Sequence, residues 1–218
     1  PNIPTATQHR SDPDVMTIDL HQGDLPNGLD LGDCVAIDTE TMGLHPYRDR
    51  LCLMQLSAGD GNAHIVRFPK GQYDAPNLKV MLGDSSVTKL FHFGRFDLAM
   101  LTRDIGPISG PVYCTKIASK LSRTYTDRHG LADLCRELLS LEISKQQQSS
   151  DWGADMLSDA QQTYAAGDVL YLHQIKEKRD AMLTRLDRQA IAKHCFDFLP
   201  HRVGLDLAGF EQLDIFHH

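Results

Sequence analysis

No apolar run in these 218 residues approaches the ~20 needed to cross a bilayer as a helix. The five cysteines (Cys34, Cys52, Cys114, Cys135, Cys195) are odd in number and scattered, and none forms a C-x-x-C pair. Most sit among apolar neighbours and read as buried free thiols, as expected of a protein in the reducing cytoplasm. Eleven histidines give no H-x-x-x-H or Cys/His pattern, which argues against a zinc site. Basic excess is missing too: 22 Lys and Arg against 29 Asp and Glu leave a formal charge of −7. Proteins that grip long nucleic acid draw affinity from many phosphate contacts and are usually basic. Any nucleic-acid partner here is therefore expected to be short, or met by local basic groups and metal ions.

What is present reads as one domain. The polar stretch 1–15, starting at Pro1, is expected to be a flexible N-terminal extension, and 16–218 a single domain. Residues 16–31 alternate weakly at Met16, Ile18 and Leu20 before the turn signal Asp24-Leu25-Pro26-Asn27-Gly28. Strands are expected at 34–40, 51–57 and 63–68, the last two joined by Gly59-Asp60-Gly61-Asn62, as an antiparallel meander. Leu78, Met81 and Leu82 then set a helical face, followed by a short strand at 87–91. Helices are expected near 95–102, 117–121 and 131–139. Another starts at Ser158, with Gln161 in capping-box position, and runs to about Arg185. Pro200 is expected to end the last helical stretch. Beyond it Val203, Leu205, Leu207, Phe210, Leu213, Ile215 and Phe216 form an apolar tail without clear period, suited either to its own core or to a partner subunit. A meander followed by alternating helices and strands predicts an α/β fold, a mixed sheet flanked by helices.

The chemistry gathers at Val35-Ala36-Ile37-Asp38-Thr39-Glu40-Thr41, where an apolar run turns acidic. On a strand, Asp38 and Glu40 project from one face. Like charges this close need a cation between them or a retained proton, and hard oxygen ligands favour Mg²⁺ or Mn²⁺ over zinc. Asp97 is a lone charge at the start of an apolar helix, a place where capping alone also puts aspartate. Tyr164 and Asp168, four apart, share a helix face about one turn from each other.

Asp38-Thr39-Glu40, His92-x-x-x-x-Asp97 and Tyr164-x-x-x-Asp168 together resemble the tyrosine-bearing (DEDDy) branch of the DEDD exonuclease superfamily. The text between them, including Cys114-Thr115-Lys116-Ile117-Ala118-Ser119, Gly130-Leu131-Ala132-Asp133-Leu134 and 145–152, is similar to the ribonuclease D family. The segments 21–26, 92–97, 124–130, 145–152, 195–200 and 213–216 narrow the likeness to a compact branch without the helical C-terminal domains of ribonuclease D. The resemblance implies a ribonuclease H-like fold and a 3′-5′ exoribonuclease for short oligoribonucleotides. Its substrates would be mainly dinucleotides, including the linear pGpG left when cyclic di-GMP is opened; a broader ribonuclease D-like activity on tRNA 3′ ends or DNA is the alternative. It further implies that Asp38, Glu40, Asp97 and Asp168 hold two Mg²⁺ or Mn²⁺ ions, which activate water and stabilise the leaving 3′ oxygen. Tyr164 would orient the water, since a phenol with an ordinary pKa of ~10 is a poor base. Leu44 is a candidate wedge between the terminal bases, with an ordinary loop position as the competing reading. His92, Lys145, Gln148 and Ser149 are candidate phosphate contacts, and Trp152 reads as a core anchor. The resemblance also implies a homo-oligomer, an octamer.

Overall fold

The computed structural model describes residues 16–217, so the expected N-terminal extension, 1–15, lies outside the described residues. Six strands form one mixed sheet: β1 (Thr17–Gln22), β2 (Cys34–Thr41), β3 (Leu51–Ser57), β4 (Asn62–Arg67), β5 (Thr88–Phe91) and β6 (Val112–Cys114), in the order β1-β4-β3-β2-β5-β6. The expected meander is there: β2 pairs antiparallel with β3, and β3 with β4. All seven residues of β3 are buried, as suits a mainly apolar strand covered on both faces. The weakly alternating stretch is β1, a parallel edge strand in register Thr17↔Asn62 to Gln22↔Arg67. β6 is only three residues long, too short to show a period, and exists because it pairs with β5.

The helices are α1 (Pro76–Gly83), α2 (Arg95–Asp104), α3 (Thr115–Ser122), α4 (Leu131–Leu134, continued by a π-turn over Cys135–Leu139), α5 (Asp159–Leu170), α6 (Leu172–Arg185) and α7 (Gln189–Leu205). α5 packs across β2, β3 and β4, whereas α6 lies against α3 and α7. The two were expected as one helix. Tyr171, at φ −103° and ψ −3°, separates them, so that each packs against its own neighbours. Pro200 does not end a helix: α7 runs through it. Ala192, Phe196, Leu199 and Val203 form a buried stripe that outweighs the one backbone bond lost at an exposed proline. Past α7 a π-turn, Asp206–Phe210, brings the tail back toward the start of α2.

Candidate active site

β2 delivers the first two acids. Its residues 35–37 are fully buried between β3 and β5, fixing the register in which Asp38 and Glu40 emerge together. The pairing slips between Glu40 and Thr41, a bulge of the kind that turns a strand end toward a site. α5 covers the same face and supplies Asp168. Carboxylate oxygens of Asp38, Glu40 and Asp168 all lie within 4.8 Å of one another.

Asp97 stands apart from this trio. Thr39 points to the other side of β2, where its hydroxyl donates to Asp97 Oδ1 at 2.6 Å. Asp97 thus approaches from α2, across the strand, yet its charge still reaches Asp38, Glu40 and Asp168. Burial, then repulsion from Asp97, Asp168 and Glu40, holds Asp38 well above the carboxylate range. Burial with Asp168 and Asp97 pushes Glu40 up to about 9. Asp168 rises to about 7 through burial and Asp97; Asp97 rises to about 6 through burial, partly offset by the Thr39 hydrogen bond. Four acids that resist ionising together form a site whose charged state requires a cation, and the oxygen-only donor set fits a hard divalent ion.

The remaining predicted residues fall into three groups. Tyr164 leans on Trp152, ring centres 5.9 Å apart, and burial with the nearby acids raises its pKa. Trp152 is buried with Cys52, Leu53, Ile65, Leu157 and Ala165, so it is a core anchor that also backs Tyr164. Leu44 is 81% exposed and borders a cleft with Pro46, Phe93, Arg95, Phe96 and Ala99. His92 is turned toward Thr115, Nδ1 to Oγ1 at 2.8 Å, and that hydroxyl donates to the Phe91 carbonyl. The ring therefore donates through Nδ1–H, and burial with the Lys116 charge lowers its pKa to about 3, so it is neutral at pH 7. Lys145, Gln148 and Ser149 are all exposed, and among the described residues none is bonded to the acidic site. Their loop is instead tethered to α5 by Gln161, whose Nε2 reaches Ser150 Oγ and the Asp151 carbonyl.

Sequence reasoning missed Gln55. It is fully buried, pairs directly with Asp38 across β2 and β3, and among the described residues neither end of its amide has a partner. Facing strand positions put Cβ atoms about 5 Å apart, so the amide belongs to the acidic site. The legible signal was a polar residue inside an otherwise apolar strand.

Fold and site together are those of a 3′-5′ exonuclease domain, and a family model of that description matches residues 23–184. Structures of Brucella melitensis NrnC superpose with a TM-score of 0.90 at 58% identity, covering 93% of this chain and 99% of that one. NrnC structures bound to pGG and with bound Mg²⁺ align comparably, at 57% and 56% identity, TM-scores of 0.90 and 0.89, and 93% of this chain with 99% and 100% of theirs. The chain belongs to the 3′-5′ exonuclease family, in the group represented by NrnC. Ribonuclease D of Gluconacetobacter diazotrophicus is 34% identical over 155 residues, 71% of this chain. The chain spans only 38% of the length of that relative.

Proposed function

We propose that this chain is a metal-dependent 3′-5′ exoribonuclease that hydrolyses short oligoribonucleotides, chiefly dinucleotides such as pGpG, to nucleoside 5′-monophosphates. The convergence of Asp38, Glu40 and Asp168 within 4.8 Å carries this reading. The two-way coverage with NrnC, which has been captured with pGG, supports the short substrate. Asp38, Glu40 and Asp168 would hold divalent ions, two per site, as Mg²⁺ or Mn²⁺, with Asp97 contributing directly or through water. When bound, such ions supply charge neutralisation and Lewis acidity at the scissile phosphate.

The chain's own residues do the rest. Tyr164 keeps its proton, since burial and the neighbouring acids raise its pKa, and so orients the attacking water by hydrogen bonding. Hydrolysis forms a bond from water oxygen to phosphorus and breaks the P–O3′ bond, and the penultimate 3′ oxygen leaves with a proton. Leu44, exposed in the loop that follows Glu40, would part the two terminal bases. His92, Lys145, Gln148 and Ser149 remain candidate phosphate contacts of this reading. Exposed Phe210, Leu213, Ile215 and Phe216 support assembly into a homo-oligomer, which we take to be an octamer working in the cytoplasm.

Initial rates with Mg²⁺ on 5′-labelled RNAs of two to about ten nucleotides test the proposal, because a short-substrate enzyme lacks the long phosphate track that rewards length. A steep preference for the dinucleotide is expected. Rates that stay level or rise with length would favour a broad ribonuclease D-like activity instead.

A further inference from the structure

Resting on that reading, we propose that residues 206–212 form a wall, built by this chain itself, that limits substrate length. Asp206 pins the wall in place. The segment lies beyond residues 23–184, the part matched as a general 3′-5′ exonuclease domain, but within the nearly full-length alignment to NrnC.

The pin is specific. Asp206 is 5% exposed and accepts from Arg95 Nε at 2.6 Å and from a terminal Arg95 nitrogen at 2.7 Å. Arg202 lies 3.2 Å from Oδ1, the oxygen that also accepts from the terminal Arg95 nitrogen. Arg95 also donates to the Glu211 carbonyl at 3.0 Å, and Arg202 donates to the same oxygen at 3.0 Å. Arg95 opens α2 two residues before Asp97, so the pair ties the tail to an acid-bearing helix. A second tie runs to the loop that follows Glu40: the Tyr47 hydroxyl donates to the Asp206 carbonyl and accepts from Gly209 N–H at 3.0 Å. Gly209 sits at φ 92°, a conformation that a side chain would strain, and this turn lets the tail fold back.

These ties shape the cleft. Leu44 and Pro46 form one side, Phe93, Phe96 and Ala99 another, and Asp206, Glu211 and Gln212 a third. Phe93 is held at φ 62° and 56% exposed, with Lys116 Nζ 3.5 Å from its ring centre, so the backbone presents its ring to the cleft side. The cleft is open to solvent and holds about 400 Å³, near the small end of the ~300–1,000 Å³ typical of small-molecule sites. That room suits a base or two beside Leu44 and Phe93. Leu44 follows Glu40 by four residues and Arg95 precedes Asp97 by two, so the cleft opens beside the elements that carry these acids, and a longer strand leaving along it would meet the tail.

The test compares Asp206→Ala and the milder Tyr47→Phe with wild type in kcat/KM on a dinucleotide and on a pentanucleotide, with oligomeric state measured for each by light scattering. Expected for Asp206→Ala is a shift of about tenfold in the pentanucleotide-to-dinucleotide ratio toward the longer RNA, and for Tyr47→Phe a shift of a few-fold, with assembly unchanged. Equal losses on both substrates, or an unchanged ratio in a folded Tyr47→Phe, would overturn the wall. A ratio that shifts only when the assembly dissociates would place the limit between subunits and also overturn it. If wild type itself shows no dinucleotide preference, the proposed substrate fails rather than the wall.

Discussion

At the scale of single residues, the acidic site trades stability for chemistry. Asp38 is crowded by Asp97, Asp168 and Glu40 in a buried setting, so in the metal-free protein its charge opposes folding. Replacing it with asparagine keeps the shape and removes that charge. Asp38→Asn is expected to lower kcat by about 10³-fold or more, because it removes a proposed metal ligand. The same change is expected to raise the melting temperature of the metal-free protein at pH 8 by roughly 2–4 °C, the shift that ~1 kcal/mol produces in a domain of this size. A melting curve in chelator and a single-turnover assay check the two halves. A variant that lost activity and metal-free stability together would show that Asp38 supports the fold instead of straining it.

At the scale of elements, α5 matters most, because it carries both Tyr164 and Asp168. Its start is set locally: Ser158 Oγ accepts from Gln161 N–H at 3.2 Å, and Gln161 Oε1 accepts from Ser158 N–H at 2.9 Å. Gln161 then uses its amide nitrogen to hold the 150–151 turn, so one residue caps the helix and tethers the neighbouring loop. Ser158→Ala is expected to cost ~1 kcal/mol of stability and to lower the melting temperature by a few degrees. Activity at 25 °C should stay within about twofold, since packing on β2–β4 still positions the helix. Thermal melts paired with kcat measure this. A large activity loss without a stability change would mean that the cap aims the site directly. α7 shows the opposite balance, since its buried stripe carries the helix through Pro200, where local propensity predicts an end.

At the scale of the whole molecule, the four acids link folding to pH and metal. Asp38, Glu40, Asp97 and Asp168 all have raised pKa values when folded. The folded chain therefore binds more protons than the unfolded one, from the ordinary carboxylate range near ~4 up to about 9 at Glu40. Stability from this cluster is fully present below that window and falls as pH rises through it. In chelator the melting temperature is expected to be lower at pH 8 than at pH 6. Saturating Mg²⁺ should raise it at pH 8 and remove most of the difference, by binding the folded state and neutralising the cluster. A metal-free melting temperature that is flat or rises between pH 6 and 8 would contradict the account.

The sequence by itself determined the strand that carries Asp38 and Glu40, the capped helix that carries Tyr164 and Asp168, and the alternation that makes the sheet mixed. Those features follow from period two, period 3.6 and capping, all of which act within about a dozen residues. Tertiary structure alone decided that Asp97 reaches the site through Thr39, from the far side of β2. It alone placed the amide of Gln55 opposite Asp38 and returned the tail to Arg95. It also kept α7 helical through Pro200. Such features depend on which segments meet across long chain separations, where burial and charge pairing outweigh local preference, and no spacing along the chain records them.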